Sequence, residues 1–249
     1  MPSPLIRTRL IWIHIEKTAG NSFRVLAYDN YGRENVVWSG IDLRKPNIEH
    51  TDVVPYTVVG GHWPYNDYIN HNAEYVYCSV LREPVARMKS FFNFICTKMD
   101  NAGKQQWSTW GFDPESLSNT LRKSAKFVRM IESRQCWMLS GQNDCDSAIK
   151  ILENNNFIVG TLDQHKVYIK TLEELFGWRK SEFQHVNKGA MHYQDSIKID
   201  DALMPLVEEI CQQDRLLFER VNQQGVLNST PRAVAKTLYP NALPKTLSH

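Results

Sequence analysis

Strand patterns that alternate with helix patterns are the feature of this sequence that most limits its fold. Apolar runs rich in β-branched and aromatic residues predict three buried strands, at residues 9–15, 57–60 and 74–81. Apolar residues at helical spacing predict helices at about 22–27, 84–99, 146–154, 162–176 and 200–224. This alternation indicates an α/β fold in three layers, with a mainly parallel central sheet flanked by helices.

The middle of the chain is less regular. Residues 100–113 are polar apart from two tryptophans, and they predict a long loop of the kind that is often functional. One helix pattern covers about 122–140, and a short apolar run predicts a strand at 156–160. We expect these elements to join the same sheet and helix layers.

The composition is that of an ordinary globular protein, with 42% hydrophobic and 22% charged residues. A chain of 249 residues suits a single domain, 1–249, with a core at about 9–225 and a C-terminal tail at 226–249. The formal net charge of +2 gives no reason to expect a nucleic acid or an anionic membrane as partner. Any anion site must therefore depend on the local placement of lysine and arginine.

Cysteine usage and the apolar runs bear on the compartment. The five cysteines form no C-x-x-C pair, which argues against a zinc site, and their odd, sparse number favours a reducing compartment. A Cys136–Cys145 disulfide is open, but two free thiols are favoured. No apolar run has the length of a signal peptide or a membrane span. We therefore expect a cytoplasmic protein without a membrane span.

Three polar loops follow the predicted core strands, at residues 16–22, 60–65 and 82–84. Ligands of α/β sheets bind beyond the carboxyl ends of the strands. We expect these loops to meet there and to form the functional site.

The first loop has the chemistry of a phosphate cradle. Small residues let backbone N–H groups converge on an anion, and the helix that follows adds its dipole and unpaired amides. Lys17 supplies a positive charge, and Thr18 and Ser22 supply hydroxyls. The loop lacks the glycine and lysine spacing of nucleoside triphosphatases. The alternative is an ordinary strand-to-helix turn with a solvated lysine.

Residues 13–23 resemble the 5′-phosphosulfate loop of the carbohydrate sulfotransferases related to heparan sulfate 2-O-sulfotransferase. Two positions depart from the family pattern: Glu16 stands where proline is usual, and Asn21 where a hydroxyl residue is usual. The resemblance implies the P-loop-like sulfotransferase fold and 3′-phosphoadenosine 5′-phosphosulfate (PAPS) as sulfate donor. The residues that it implies at the 5′-phosphosulfate are Lys17, Thr18, Ala19, Gly20, Asn21, Ser22 and Phe23.

A second resemblance to the same family lies at the third strand. Arg82 at the predicted strand end and Ser90, eight residues on in the next helix, match the family's pair that grips the 3′-phosphate. Arginine offers a rigid, charged fork that suits phosphate. The alternative makes Arg82 a salt-bridge partner and Ser90 a small residue at a helix crossing. We interpret Arg87 and Lys89 as solvated charges on other faces of the helix.

Two later segments carry a looser likeness. Residues 157–161, followed by a helix, resemble a late strand motif of the family, and residues 185–189 resemble its late loop near the nucleotide. The resemblance thereby adds Asn187 and Lys188 to the residues expected at the donor.

Histidine is suited to accept the proton of an attacking hydroxyl near neutral pH. His62 follows two glycines at the end of the second core strand and resembles the proposed base of the family. The alternative is a histidine that only caps the strand end by hydrogen bonds. His14 alternates with Ile13 and Ile15 within the first strand, so we interpret it as a structural histidine or a group behind the site.

These expectations combine into one reaction. The resemblance implies transfer of a sulfuryl group from PAPS to a hydroxyl on a glycan or glycolipid, with His62 as base and Lys17 stabilising the leaving phosphate. No acidic cluster stands ready for magnesium, so we expect no metal. Two alternatives stay open, a P-loop-type phosphotransferase and a non-catalytic nucleotide-binding relative. Four aromatic residues are either sugar platforms or core or lid residues: Trp63, Tyr65, Trp107 and Trp110.

Overall fold

The computed structural model describes residues 9–38, 57–68, 75–98, 101–178 and 197–229. Within these ranges six strands form one sheet in the order β2-β3-β1-β4-β5-β6. The strands are β1 Arg9–Ile13, β2 Val36–Trp38, β3 Val58–Gly61, β4 Tyr75–Leu81, β5 Phe157–Thr161 and β6 Val226–Asn228. Neighbouring strands are parallel except for β6, which pairs with β5 in the antiparallel sense.

Helices connect the strands and cover the sheet. In the described ranges they are α1 Gly20–Tyr31, α2 Tyr65–Tyr68, α3 Pro84–Lys98, α4 Asn101–Thr109, α5 Leu117–Lys123, α6 Ala125–Ile131, α7 Arg134–Ser140, α8 Cys145–Asn154, α9 His165–Phe176 and α10 Met204–Gln224. Several ends follow capping rules. Glu83 accepts hydrogen bonds from the amides of Val85 and Ala86 just before α3, and Gly177 ends α9 in a left-handed conformation with a φ of 64°.

The side chains of β1 divide between two core layers, because successive residues of a strand point to opposite faces. Leu10 and Trp12 pack with α1 and α9, whereas Ile11 and Ile13 pack with residues of α7, α8 and α10. A third apolar cluster joins α3 to α4, α5, α6 and the first half of α10. The predicted α/β architecture, a mostly parallel sheet flanked by helices, is confirmed.

The core strands and the long helices lie within a few residues of their predicted positions, but three predictions were wrong. Residues 101–109 form helix α4 and not a loop. The single helix predicted at about 122–140 is divided into α5, α6 and α7. The Ser124 hydroxyl accepts from the Phe127 amide and starts α6, and Ser133, in the left-handed region, separates α6 from α7. Strand β6 carries the sheet past the predicted core end at residue 225.

The described ranges also answer two smaller questions. All five cysteines lie in them as free thiols, as favoured for Cys136 and Cys145. No helix in this part of the chain has the length and apolar character needed to cross a membrane.

Candidate functional site

The loops after β1, β3 and β4 lie side by side at one edge of the sheet. Strand β1 is hydrogen-bonded to β3 on one side and to β4 on the other, and both neighbours are parallel to it. Two further bonds join the loops: the His14 amide donates to Gly61 O at 2.8 Å, and Arg82 Nη1 donates to Lys17 O at 3.1 Å. The three loops therefore meet, as their places in the sequence predict.

The backbone of the first loop is shaped as an anion nest. Lys17 and Ala19 have φ angles of 70° and 67°, and Thr18 between them is not in the left-handed region. Such alternation turns successive N–H groups toward one concave side. The amides of Thr18, Ala19, Gly20 and Asn21 donate to no acceptor in the described part of the chain.

The amides of Ser22 and Phe23 are engaged differently, because both donate to Ala19 O, at 2.9 and 3.4 Å. The unbonded amides are therefore those of residues 18–21, a shorter stretch than the sequence predicts. They adjoin the start of α1, where the helix dipole adds positive potential. This turn could hold a phosphate or sulfate.

Left-handed conformations concentrate around this turn. Among the described residues, the non-glycine positions with clearly positive φ are Lys17, Ala19 and Ser133. Ser133 has a φ of 45° and precedes Arg134, whose side chain binds Glu16 in the turn. Each such residue costs free energy that the surrounding contacts must offset, and conformations of this kind cluster at functional sites.

The side chains of the turn have separate partners. The Thr18 hydroxyl donates to Ile15 O at 2.9 Å, so its single proton is used within the loop. The Lys17 ammonium lies 4.6 Å from the centroid of the Phe94 ring on α3, a cation–π distance. Ser22 is buried at the start of α1. What Thr18 and Ala19 offer to an anion is therefore their backbone amides.

Glu16 does not point its charge at the nest. Its carboxylate accepts two hydrogen bonds from Arg134, at 3.1 Å from Nε and 2.5 Å from Nη2, and the guanidinium also stacks on Trp137. Burial raises the pKa of Glu16, but the hydrogen bonds and charge of Arg134 outweigh burial and hold the pKa below its usual value. A bidentate partner thus neutralises Glu16.

The main chain of Arg82 is held by the side chain of Gln135. Gln135 Oε1 accepts from the Arg82 amide at 2.9 Å, and Gln135 Nε2 donates to Arg82 O at 2.8 Å. Asp214 in turn accepts from the Gln135 amide at 2.9 Å. Sequence reasoning missed Gln135 and Asp214, because no local pattern marks partners that lie 53 and 79 residues apart in the chain.

Ser90 lies two turns into α3 and is buried. Phe94, one turn further along, is on the same face of the helix, since residues four apart lie above one another. Phe94 contacts the Lys17 ammonium, so this face of α3 is turned to the first loop. Arg82 thus reaches the turn through its bond to Lys17 O, and Ser90 lies on the face of α3 that carries Phe94.

Arg87 is not a solvated charge, and that prediction was wrong. Its side chain is 1% exposed, and Nη2 donates to Ile131 O at 2.9 Å. Burial lowers its pKa from the usual value, while the charges of Asp214 and Glu16 act in the opposite direction. The face of α3 that carries Arg87 is covered by the end of α6, which the sequence pattern of α3 alone does not reveal.

His62 is exposed just beyond β3, and its Nδ1 lies 2.9 Å from His14 O. A carbonyl oxygen only accepts, so Nδ1 carries the proton in this bond. The neutral ring then has its lone pair on Nε2. His62 is therefore arranged to take a proton through Nε2.

The four candidate platform aromatics divide into two kinds. Tyr65 is buried and its hydroxyl donates to Asn155 Oδ1 at 3.0 Å, and Trp107 is buried in the cluster around α3. These two are core residues. Trp63 and Trp110 are only partly buried. Asn187 and Lys188 lie outside the described residues.

No known protein family and no curated protein matches this chain. Within the described ranges, no group of three histidine, cysteine, aspartate or glutamate side chains is placed to hold a metal ion.

Proposed function

We propose that this chain is a PAPS-dependent sulfotransferase with the P-loop-like sulfotransferase fold. One observation carries the proposal: the four unbonded amides of residues 18–21 form an anion nest, and the Arg82 guanidinium donates a hydrogen bond to Lys17 O beside it. PAPS carries phosphate groups on both sides of its ribose. The proposal thus assigns one group to the nest and the other to Arg82.

In this proposal the 5′-phosphosulfate accepts from the amides of residues 18–21 and gains from the dipole of α1. The 3′-phosphate contacts Arg82 and Ser90. A guanidinium has five N–H donors in a planar fork that suits phosphate, and Arg82 Nη1 donates one of them to Lys17 O. Burial lowers the pKa of Arg82 from its usual value, while the charges of Asp163 and Glu83 act in the opposite direction.

The chemistry follows from His62 and Lys17. As the acceptor oxygen bonds to sulfur, its proton passes to Nε2 of His62, and the bond between sulfur and the bridging oxygen breaks. The products are a sulfate ester and adenosine 3′,5′-bisphosphate. The Lys17 ammonium moves from the Phe94 ring to the bridging oxygen and stabilises the charge that develops there. A sulfuryl group carries less charge than a phosphoryl group, so this chemistry requires no metal clamp.

The acceptor in this proposal is a hydroxyl of a glycan or glycolipid. This part rests on the likeness of the sequence to carbohydrate sulfotransferases. Trp63, partly buried and next to His62 in the chain, offers an apolar surface on which a sugar ring could stack.

The direct test is transfer of labelled sulfate from PAPS to a panel of glycans, glycolipids and small alcohols. We expect turnover by the wild type, and a loss of about 10²–10⁴-fold in His62→Ala with donor binding unchanged, because only the proton transfer is removed. The matched control is His165→Ala, a partly buried histidine at the start of α9. It should retain turnover.

Other outcomes identify other classes. Phosphate transfer from a nucleoside triphosphate that stops with a chelator and returns with magnesium would indicate a phosphotransferase. Donor binding without turnover on any acceptor, in wild type and His62→Ala alike, would indicate a non-catalytic nucleotide-binding protein. Either result would contradict the proposal.

A further inference from the structure

The two histidines of the site are neighbours because of strand register. Ile13 of β1 pairs with Gly61 of β3 in parallel register, so the next residues along, His14 and His62, are adjacent. Residues in register on parallel strands point to the same face of the sheet. Accordingly, the two imidazole rings stack, with centroids 4.1 Å apart and planes inclined by 29°.

The His14 ring occupies a fitted slot. It is 6% exposed, and its centroid lies 5.7 Å from that of Trp38 in an edge-on contact. On another side it lies against Gly20, where an added Cβ atom would overlap the ring. The ring therefore has little freedom to turn, and its plane is fixed before any ligand binds.

His14 is an unsuitable base. Burial lowers its pKa well below the usual value, and the charges of His62, Arg24 and Lys17 lower it further. Its Nδ1 is buried and makes no hydrogen bond in the described part of the chain. The neutral His14 ring therefore contacts the exposed imidazole of His62 but does not compete with it for the proton of the acceptor hydroxyl.

We infer that His14 is a positioning residue for His62: its carbonyl holds the proton on Nδ1, and its fixed ring holds the plane of the imidazole, so that Nε2 is left as the basic nitrogen. Two contacts from one residue thus set both the tautomer and the orientation of the base. The inference rests on the proposed function for the identity of the base, but the tautomer and the stacking do not depend on it.

The test uses two variants that keep the main-chain carbonyl. His14→Phe retains a flat ring that can stack, and His14→Leu removes the flat ring. In protein labelled with ¹⁵N-histidine, at alkaline pH where imidazoles are neutral, we expect His62 of the wild type and of His14→Phe to carry its proton on Nδ1. In His14→Leu we expect a mixture of the two tautomers, because without the flat ring the imidazole of His62 can turn and move its Nδ1 away from the retained carbonyl.

Kinetics should follow the same division. We expect His14→Leu to lower kcat about tenfold with the KM for the donor unchanged, because the base is less well oriented while the donor site is intact. His14→Phe should stay within about threefold of the wild type, since the ring contact persists.

Several results would overturn the inference. They are a wild-type His62 with its proton on Nε2, a His14→Leu variant that matches the wild type in tautomer and kcat, and a His14→Phe variant as impaired as His14→Leu. The wild-type spectrum decides even where a variant fails to fold. A wild type that transfers no sulfate would refute the proposed function, whereas the tautomer result stands or falls separately.

Discussion

At the scale of single residues, the pairing of Glu16 with Arg134 explains how a negative charge is tolerated beside an anion nest. It precedes Lys17 in the chain, yet its carboxylate is bound by both N–H edges of Arg134 on α7. A paired carboxylate adds little net negative potential, so the amides and Lys17 dominate the turn. The ion pair also fixes the turn to α7.

Removal of Arg134 should therefore destabilise the protein. In Arg134→Ala the Glu16 carboxylate, with 17% of its side chain exposed, loses its partner in a poorly solvated place. We expect the free energy of unfolding to fall by about 3 kcal/mol, measured by chemical denaturation. The double variant Glu16→Gln with Arg134→Ala should recover part of this loss, and a double variant as unstable as the single one would count against the ion pair.

The ion pair of Glu16 and Arg134 should make the free energy of unfolding depend on pH. The pKa of Glu16 is lowered in the folded protein, so its stabilising contribution is complete above the ordinary carboxyl pKa and is lost as pH falls through the lowered value. The difference in unfolding free energy between wild type and Arg134→Ala should thus shrink on acidification through that range. If the difference in unfolding free energy stays constant as the pH falls, the ion pair does not contribute as described.

At the scale of elements, the site depends on how closely β1, its loop and α1 approach one another. Gly20 begins α1, and the His14 ring fills the space that a side chain would need there. The start of the helix therefore lies directly against the histidine that contacts His62. A change at Gly20 should disturb both the anion nest and the base.

We expect Gly20→Ala to lower the free energy of unfolding by about 1–3 kcal/mol, since the added methyl group would overlap the His14 ring and force it to move. Donor affinity and turnover should fall with it. Gly177→Ala is the matched control. No atom lies within 4 Å of its added Cβ, and its cost of about 1 kcal/mol comes from the φ of 64° alone. Its donor affinity and turnover should match the wild type, and equal losses in both variants would contradict the account.

How much of the site the sequence could predict depends on the distance over which each contact acts. The loops after β1, β3 and β4 were predictable, because apolar runs mark the strands and parallel strands present their ends together. Strands β2 and β6 escaped prediction, because three residues carry too little periodicity. The partners Arg134 and Gln135 escaped because their contacts to Glu16 and Arg82 span 118 and 53 residues.

At the scale of the whole molecule, a polar network links the two proposed phosphate sites to the helices. Asp214 on α10 accepts a hydrogen bond from the Gln135 amide. The Gln135 side chain binds the main chain of Arg82, and the Arg82 side chain donates to Lys17 O in the nest. Two sites joined in this way should bind one ligand that has an anion at each end. The network thus favours a nucleotide phosphorylated at both the 3′ and 5′ positions over one with a single phosphate.

Titration calorimetry with adenosine 3′,5′-bisphosphate and adenosine 5′-phosphate tests this central claim most directly. We predict that the wild type binds the bisphosphate about ten- to a hundredfold more tightly, as charge-assisted hydrogen bonds to the 3′-phosphate would give. Arg82→Ala should abolish the preference, and Arg129→Ala, which alters an exposed arginine of α6, should keep it. Equal affinity of the wild type for both nucleotides, or no binding of either, would contradict the account.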